Sequence, residues 1–139
     1  MPSLCVLAFD FGTKNIGVAI GNTTLRQANP LSILKARDGI PNWDDIQRLI
    51  TEWQAQQLIV GLPLNMDGSV SEMSTRARKF GQRLHGRFGL PVDFIDERLS
   101  SYEAKDMADA LGHRGDYKNK PIDALAAAIV LDSWFATTQ

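Results

Sequence analysis

Cysteine and histidine are scarce in this chain, with one cysteine and two histidines in 139 residues. A disulfide framework is excluded within the chain, and Cys5, inside the first apolar run, reads as a buried reduced thiol. His85 and His113 lack metal-ligand spacing and read as surface or packing residues, so a nitrogen–sulfur zinc site has little to draw on. No apolar run approaches the roughly 20 residues of a membrane helix, and "MPSLCVLAFDF" lacks the basic start and cleavage site of a secretory leader. A cytoplasmic protein with no membrane partner is expected. Charge of one sign is absent too: 15 Lys and Arg against 16 Asp and Glu leave a net charge of −1. Any attraction to nucleic acid must therefore be local. What remains is ordinary globular composition, 44% hydrophobic and 22% charged, at a length that suits one domain over 1–139.

The apolar runs give an order. "LCVLAFD" (4–10) reads as a buried central strand, and "NIGVAIG" (15–21) follows too closely for anything but an antiparallel hairpin. "TLRQANPLSILKA" (24–36) suits an edge strand bent at Pro30. "NWDDIQRLITEWQ" (42–54) carries a helical apolar stripe capped by Asn42. A strand over 57–64, a helix over about 71–88, a strand over 91–97 and helices over 100–111 and 122–135 complete the reading. This order predicts an α/β domain: a mixed five-stranded sheet whose first three strands form an antiparallel meander, with parallel strands later and helices on both faces.

Three acids stand at the ends of these elements. Asp10 closes the first strand, Glu97 closes the fifth, and Asp123 opens the last helix after Pro121. Carboxyl ends of parallel strands share one sheet edge, so Asp10 and Glu97 can converge there with Asp123 above them. An all-oxygen set of this kind suits Mg²⁺ or Mn²⁺, and a pair of such ions can activate water and stabilise the leaving oxygen in phosphodiester hydrolysis. The alternatives are structural: a helix cap for Asp123, an ion pair for Glu97, a turn hydrogen bond for Asp10. Asp96 could supply another oxygen, although neighbouring strand residues point to opposite faces.

Basic residues collect in two places. "RARKFGQRLHGR" (76–87) contains Arg76, Lys79 and Arg83 and no acid, while "GHRGDYKNK" (112–120) brings Lys118 and Lys120 toward Asp123. Such clusters can follow phosphates without reading sequence, or can be solvated faces. In "GLPLNMDGSVSE" (61–72), Asn65 and the helix start after Ser71 could meet a phosphate, while an Asp-Gly turn and an N-cap explain the same residues. Lys14 and Arg98, beside two of the acids, are further candidates for phosphate contact.

In order and spacing, "FDFGTKNIGVAIG", "IVGLPLNMDGS", "DERLSS" and "KNKPIDALAAAIVL" resemble the motifs of the YqgF/RuvX family of the RNase H-like superfamily, across essentially the whole chain. The resemblance implies one RNase H-like nuclease domain with Asp10, Glu97 and Asp123 as catalytic and metal-holding acids. It implies a Mg²⁺- or Mn²⁺-dependent endonuclease acting in 5′-end maturation of pre-16S rRNA, with the assembled ribosomal subunit a further partner. Holliday junction resolution is the alternative within the family, and a non-catalytic nucleic-acid-binding or transcription-associated factor is a third reading. The related RuvC-type sites resemble a four-acid set with two acids three residues apart on the last helix, whereas here Asp123 is followed by Ala126 and preceded by Lys120. The first motif also resembles the phosphate loop of actin-like ATPases, with Gly12, Thr13 and Lys14 as the cradle. That architecture closes two lobes around its nucleotide, and 139 residues supply one.

Overall fold

Alternation in the first strand divides the molecule into two layers. The structure, a computed structural model, describes residues 4–96 and 122–137, without the side chains of residues 122 and 123. β1 (Cys5–Asp10) sends Leu7 and Phe9 to one face and Val6 and Ala8 to the other, and all four are fully buried. Leu7 and Phe9 join a core built with α1 (Trp43–Trp53) and α2 (Glu72–Phe88), where Ile46, Phe80 and Leu84 pack. Val6 and Ala8 join a second core under α3 (Ile122–Thr137), made with Ala127, Ala128, Val130 and Leu131. α3 is apolar on nearly all sides, and its small residues let it lie close on the sheet.

The sheet runs β4-β3-β2-β1-β5-β6. β2 (Asn15–Asn22) and β3 (Ala28–Arg37) extend the antiparallel meander, and β5 (Gln57–Leu62) and β6 (Val92–Asp96) lie parallel to β1 on its other side. The mixed sheet with helices on both faces is as expected. The count of five strands is not: Ile40–Pro41 forms a sixth, β4, paired with Ala36 and Arg37. The two intervening residues, Asp38 (φ 50°) and Gly39 (φ 82°), both take positive φ, as the tight turn of a two-residue hairpin requires.

Other boundaries moved for local reasons. Residues 24–27, expected in the third strand, form a turn and its exit because the Asn22 side-chain oxygen accepts from the backbone N–H of Thr24 and Leu25, at 3.1 and 2.7 Å. β3 bulges where Ala19 pairs with Pro30 and Val18 with Ser32, the site of the expected bend. β5 stops at Leu62, where Leu64 N–H donates back to the Leu62 carbonyl at 2.9 Å around Pro63. α1 starts at Asn42, whose side chain accepts from Asp44 N–H as foreseen. Cys5 is half-buried rather than buried, and burial pushes its thiol above the ordinary value. The helix expected over 100–111 lies outside the described residues. No helix among the described residues is long and apolar enough to cross a membrane.

Candidate metal centre and nucleic-acid interface

Asp10 is the last residue of β1, and strand parity fixes its side. It follows Val6 and Ala8 on the α3 face, opposite Leu7 and Phe9, and it is half-buried. The chain then turns immediately. A Cβ on Gly12 would stand 2.4 Å from the Asn15 carbonyl oxygen, so only glycine allows the return into β2 directly after the aspartate.

The direction of α3 follows from its contacts. Gly21 pairs with Val6 at the start of β1, and a Cβ on Gly21 would meet Leu131 and Phe135 side chains, each at 3.1 Å. On the other side of β1, the Trp134 indole N–H donates at 2.9 Å to Oδ2 of Asp93, which is level with Ala8. The helix therefore runs back along β1 toward its carboxyl end. The first turn of α3, which contains residue 123, thus lies toward the carboxyl end of β1, the end at which Asp10 stands.

Asp96 closes β6 on the parallel side of the same edge, with Leu62 as its β5 partner. Its parity follows Phe94, which packs in the α2 core, whereas Asp93 bonds Trp134 of α3 and Ile95 packs in the α3 core. Asp96 accordingly faces away from the Asp10 side of the sheet. Glu97, Arg98, Lys118 and Lys120 lie outside the described residues, as does the side chain of Asp123. Among the described residues no group of three or more His, Cys, Asp or Glu gathers to hold a metal ion. Asp10 is the one member of the expected triad with a described side chain, a hard oxygen donor of the right chemistry for Mg²⁺ or Mn²⁺.

The basic helix divides into engaged and unengaged cations. Arg76 Nη2 donates to the Asp38 carbonyl at 2.7 Å and to Asp38 Oδ1 at 2.9 Å. Arg78 lies 4.8 Å from the Phe94 ring centroid and Arg87 4.4 Å from that of Trp43. Lys79 and Arg83, one helical turn apart, instead line a groove of about 250 Å³ together with Arg76. Its floor is Phe11 and Phe80, and its far wall is the β3–β4 turn, Asp38 to Ile40. The sequence reading did not single out Phe11, Asp38 or Ile40, although "ARDGIP" carries the Asp-Gly signal of the hairpin that builds this wall.

Two expected contacts are explained structurally. The Asn65 amide nitrogen donates to Ser69 Oγ at 3.0 Å and to the Val70 carbonyl at 3.4 Å, holding the turn before α2. At the start of α2, Ser71 Oγ accepts from Ser74 N–H and donates to the Pro63 carbonyl, and Ser74 Oγ in turn accepts from Ser71 N–H. That reciprocal cap satisfies the N–H groups of Ser71 and Ser74. His85 is an exposed surface residue, with its Nδ1 2.9 Å from the Leu90 carbonyl beyond the helix end. Lys14 is exposed at the beginning of β2's turn, with its backbone carbonyl accepting from Ala36 N–H at 2.8 Å.

Comparison with known proteins agrees with this fold. A family model described as RuvX, Holliday junction resolvase, matches residues 4–137. A Chromohalobacter salexigens protein is 59% identical over 131 residues, covering 94% of this chain and 88% of its own length. A Saccharophagus degradans protein is 53% identical over 135 residues, covering 97% and 95%. Both carry the name "Putative pre-16S rRNA nuclease". Among solved structures, the fowlpox virus resolvase bound to Holliday junction DNA superposes with a TM-score of 0.58 at 17% identity, covering 96% of this chain and 98% of the other. Thermus thermophilus RuvC with its junction substrate gives 0.54 at 18%, covering 95% and 93%. At these identities the likeness is one of fold, and that fold is the RNase H-like one.

Proposed function

The chain belongs to the RuvX family, and from that premise we propose that it is a metal-dependent endonuclease acting in 5′-end maturation of pre-16S rRNA. The observation that carries the reading is the half-buried aspartate that ends β1 on the α3 face, at the end of the strand toward which α3 begins. Asp10, Glu97 and Asp123 are the ligands in this reading. Glu97 directly follows β6 in sequence, while Asp96, the last residue of β6, faces the other layer. Mg²⁺ or Mn²⁺, when bound, supplies the positive charge and Lewis acidity that phosphodiester hydrolysis requires.

The chain's own groups do the rest. The backbone that carries Asp10 is fixed by strand pairing, to β2 at Asp10 itself and to β5 as far as Phe9. The Gly12 turn gives the edge a low profile on which a phosphodiester can be laid beside the carboxylate. Lys14, Arg98, Lys118 and Lys120 contact phosphates around the cut, while Asn65 serves the substrate through the shape of its turn. The basic residues of α2 attract the polyanion, and none of them acts as a proton donor in this scheme. Junction resolution is the second reading, favoured by the family's own description.

The test offers a 16S precursor segment and a four-way DNA junction, side by side with Mn²⁺, to the wild-type protein and to Asp10→Asn. Cleavage at the 5′ boundary of the RNA is expected, dependent on metal and lost in the variant. Cutting of the junction alone would transfer the function to the second reading. Folded wild-type protein that cuts neither would overturn both.

A further inference from the structure

We propose that the groove between α2 and the β3–β4 turn is a binding subsite for an unpaired nucleotide strand that flanks the bond to be cut. The inference rests on the nuclease reading and adds the form of the substrate, namely that it is single-stranded beside the cut.

Charge comes first. The groove holds three cationic side chains and one carboxylate, and Asp38 is taken by Arg76 at 2.9 Å. Among the described residues no other carboxylate lines the groove, so Lys79 and Arg83, exposed and four residues apart on one helix face, have their mutual repulsion relieved by an anion between them. Phosphate is the anion at hand in a nucleic-acid enzyme. The other cations of the helix are directed elsewhere, Arg78 onto Phe94 and Arg87 onto Trp43.

Shape and polarity narrow the ligand. Beside the two cations stands Ile40, a large aliphatic side chain 53% exposed, over a floor of two phenylalanines. A duplex keeps its base faces stacked inward and would offer this wall only phosphates. An unpaired nucleotide offers both an anion and an apolar face, the pairing of contacts by which single strands are held. Position links the groove to the edge. Phe11, in its floor, is the residue after Asp10 and lies on the opposite face, so one strand crossing the edge at Gly12–Lys14 reaches both Asp10 and the groove. The wall is braced to that edge: Gly39 N–H donates to the Thr13 carbonyl at 2.9 Å.

The test is equilibrium binding in EDTA, where nothing is cut, using fluorescent oligouridine, its oligothymidine counterpart and a blunt RNA duplex across a salt series. Lys79→Ala/Arg83→Ala is expected to flatten the single-strand slope of log K against log salt by about 1.4, two phosphate contacts' worth. Ile40→Ser is expected to weaken single-strand binding with no change of slope and no effect on the duplex. Arg48→Ala, an exposed cation on α1, serves as the control. Either oligonucleotide supports the proposal, and the RNA-to-DNA ratio names the natural strand through the 2′-hydroxyl. An unchanged slope in the double variant overturns it. So does equal loss of duplex and single strand with Ile40→Ser silent, which would make the helix a general phosphate rail. Binding without cleavage keeps this result separate from the fate of the nuclease reading.

Discussion

A carboxylate at the end of a buried strand is costly unless something compensates it, and in the proposed function a bound cation shares that role at Asp10. Replacing it with asparagine keeps the shape and removes the charge. Asp10→Asn is expected to lower metal-dependent cleavage at least about a hundredfold with an unchanged circular dichroism spectrum, whereas unfolding would make the residue structural. Cys5 makes a contrasting case. Burial raises its thiol, so the folded chain holds that proton more tightly than the unfolded one, and the contribution to stability is lost as pH rises through the folded value. Alkylation by iodoacetamide should accordingly reach half its limiting rate at a higher pH in the native protein than in urea. Coincident profiles would contradict this. The sequence made both residues visible, Asp10 as an acid closing an apolar run and Cys5 as a thiol within it. It could not give the face on which Asp10 points, because that depends on which layer α3 covers.

The elements show where local signals suffice. α1 and α2 begin at Asn42 and Ser71 because short polar side chains satisfy the first free N–H groups, and both starts are readable in the chain. β4 escaped because two residues have no periodicity, and the turn that makes it had to be read from Asp38 and Gly39 instead. That turn is also a wall of the basic groove, so one missed signal concealed both. Gly39 is required twice, by its φ of 82° and by the Phe11 ring, which would lie 2.7 Å from any Cβ. Gly39→Ala is expected to cost about 1–3 kcal/mol, seen as a lower urea midpoint at unchanged m-value. A midpoint equal to wild type would show that the turn relaxes freely. Of the basic helix, composition showed the charge but not its allocation, since three of its arginines are turned toward Asp38, Phe94 and Trp43 by contacts distant in sequence.

At the scale of the molecule, one sheet serves two layers, and its carboxyl edge is where they meet. The α3 layer carries Asp10, and the α2 layer carries the cationic groove one residue further on. Parity separates the two aspartates of that edge: Asp10 faces α3, and Asp96 follows Phe94 toward α2. A ligand that binds only the folded state raises its stability, by about 2.7 kcal/mol at a hundred times its dissociation constant. The decisive measurement is therefore the shift in melting temperature produced by Mn²⁺ in wild type, Asp10→Asn and Asp96→Asn. A rise of a few degrees in wild type and Asp96→Asn, absent in Asp10→Asn, is the predicted result. A full rise in Asp10→Asn, or its loss in Asp96→Asn alone, would contradict the placement of the metal on the α3 face.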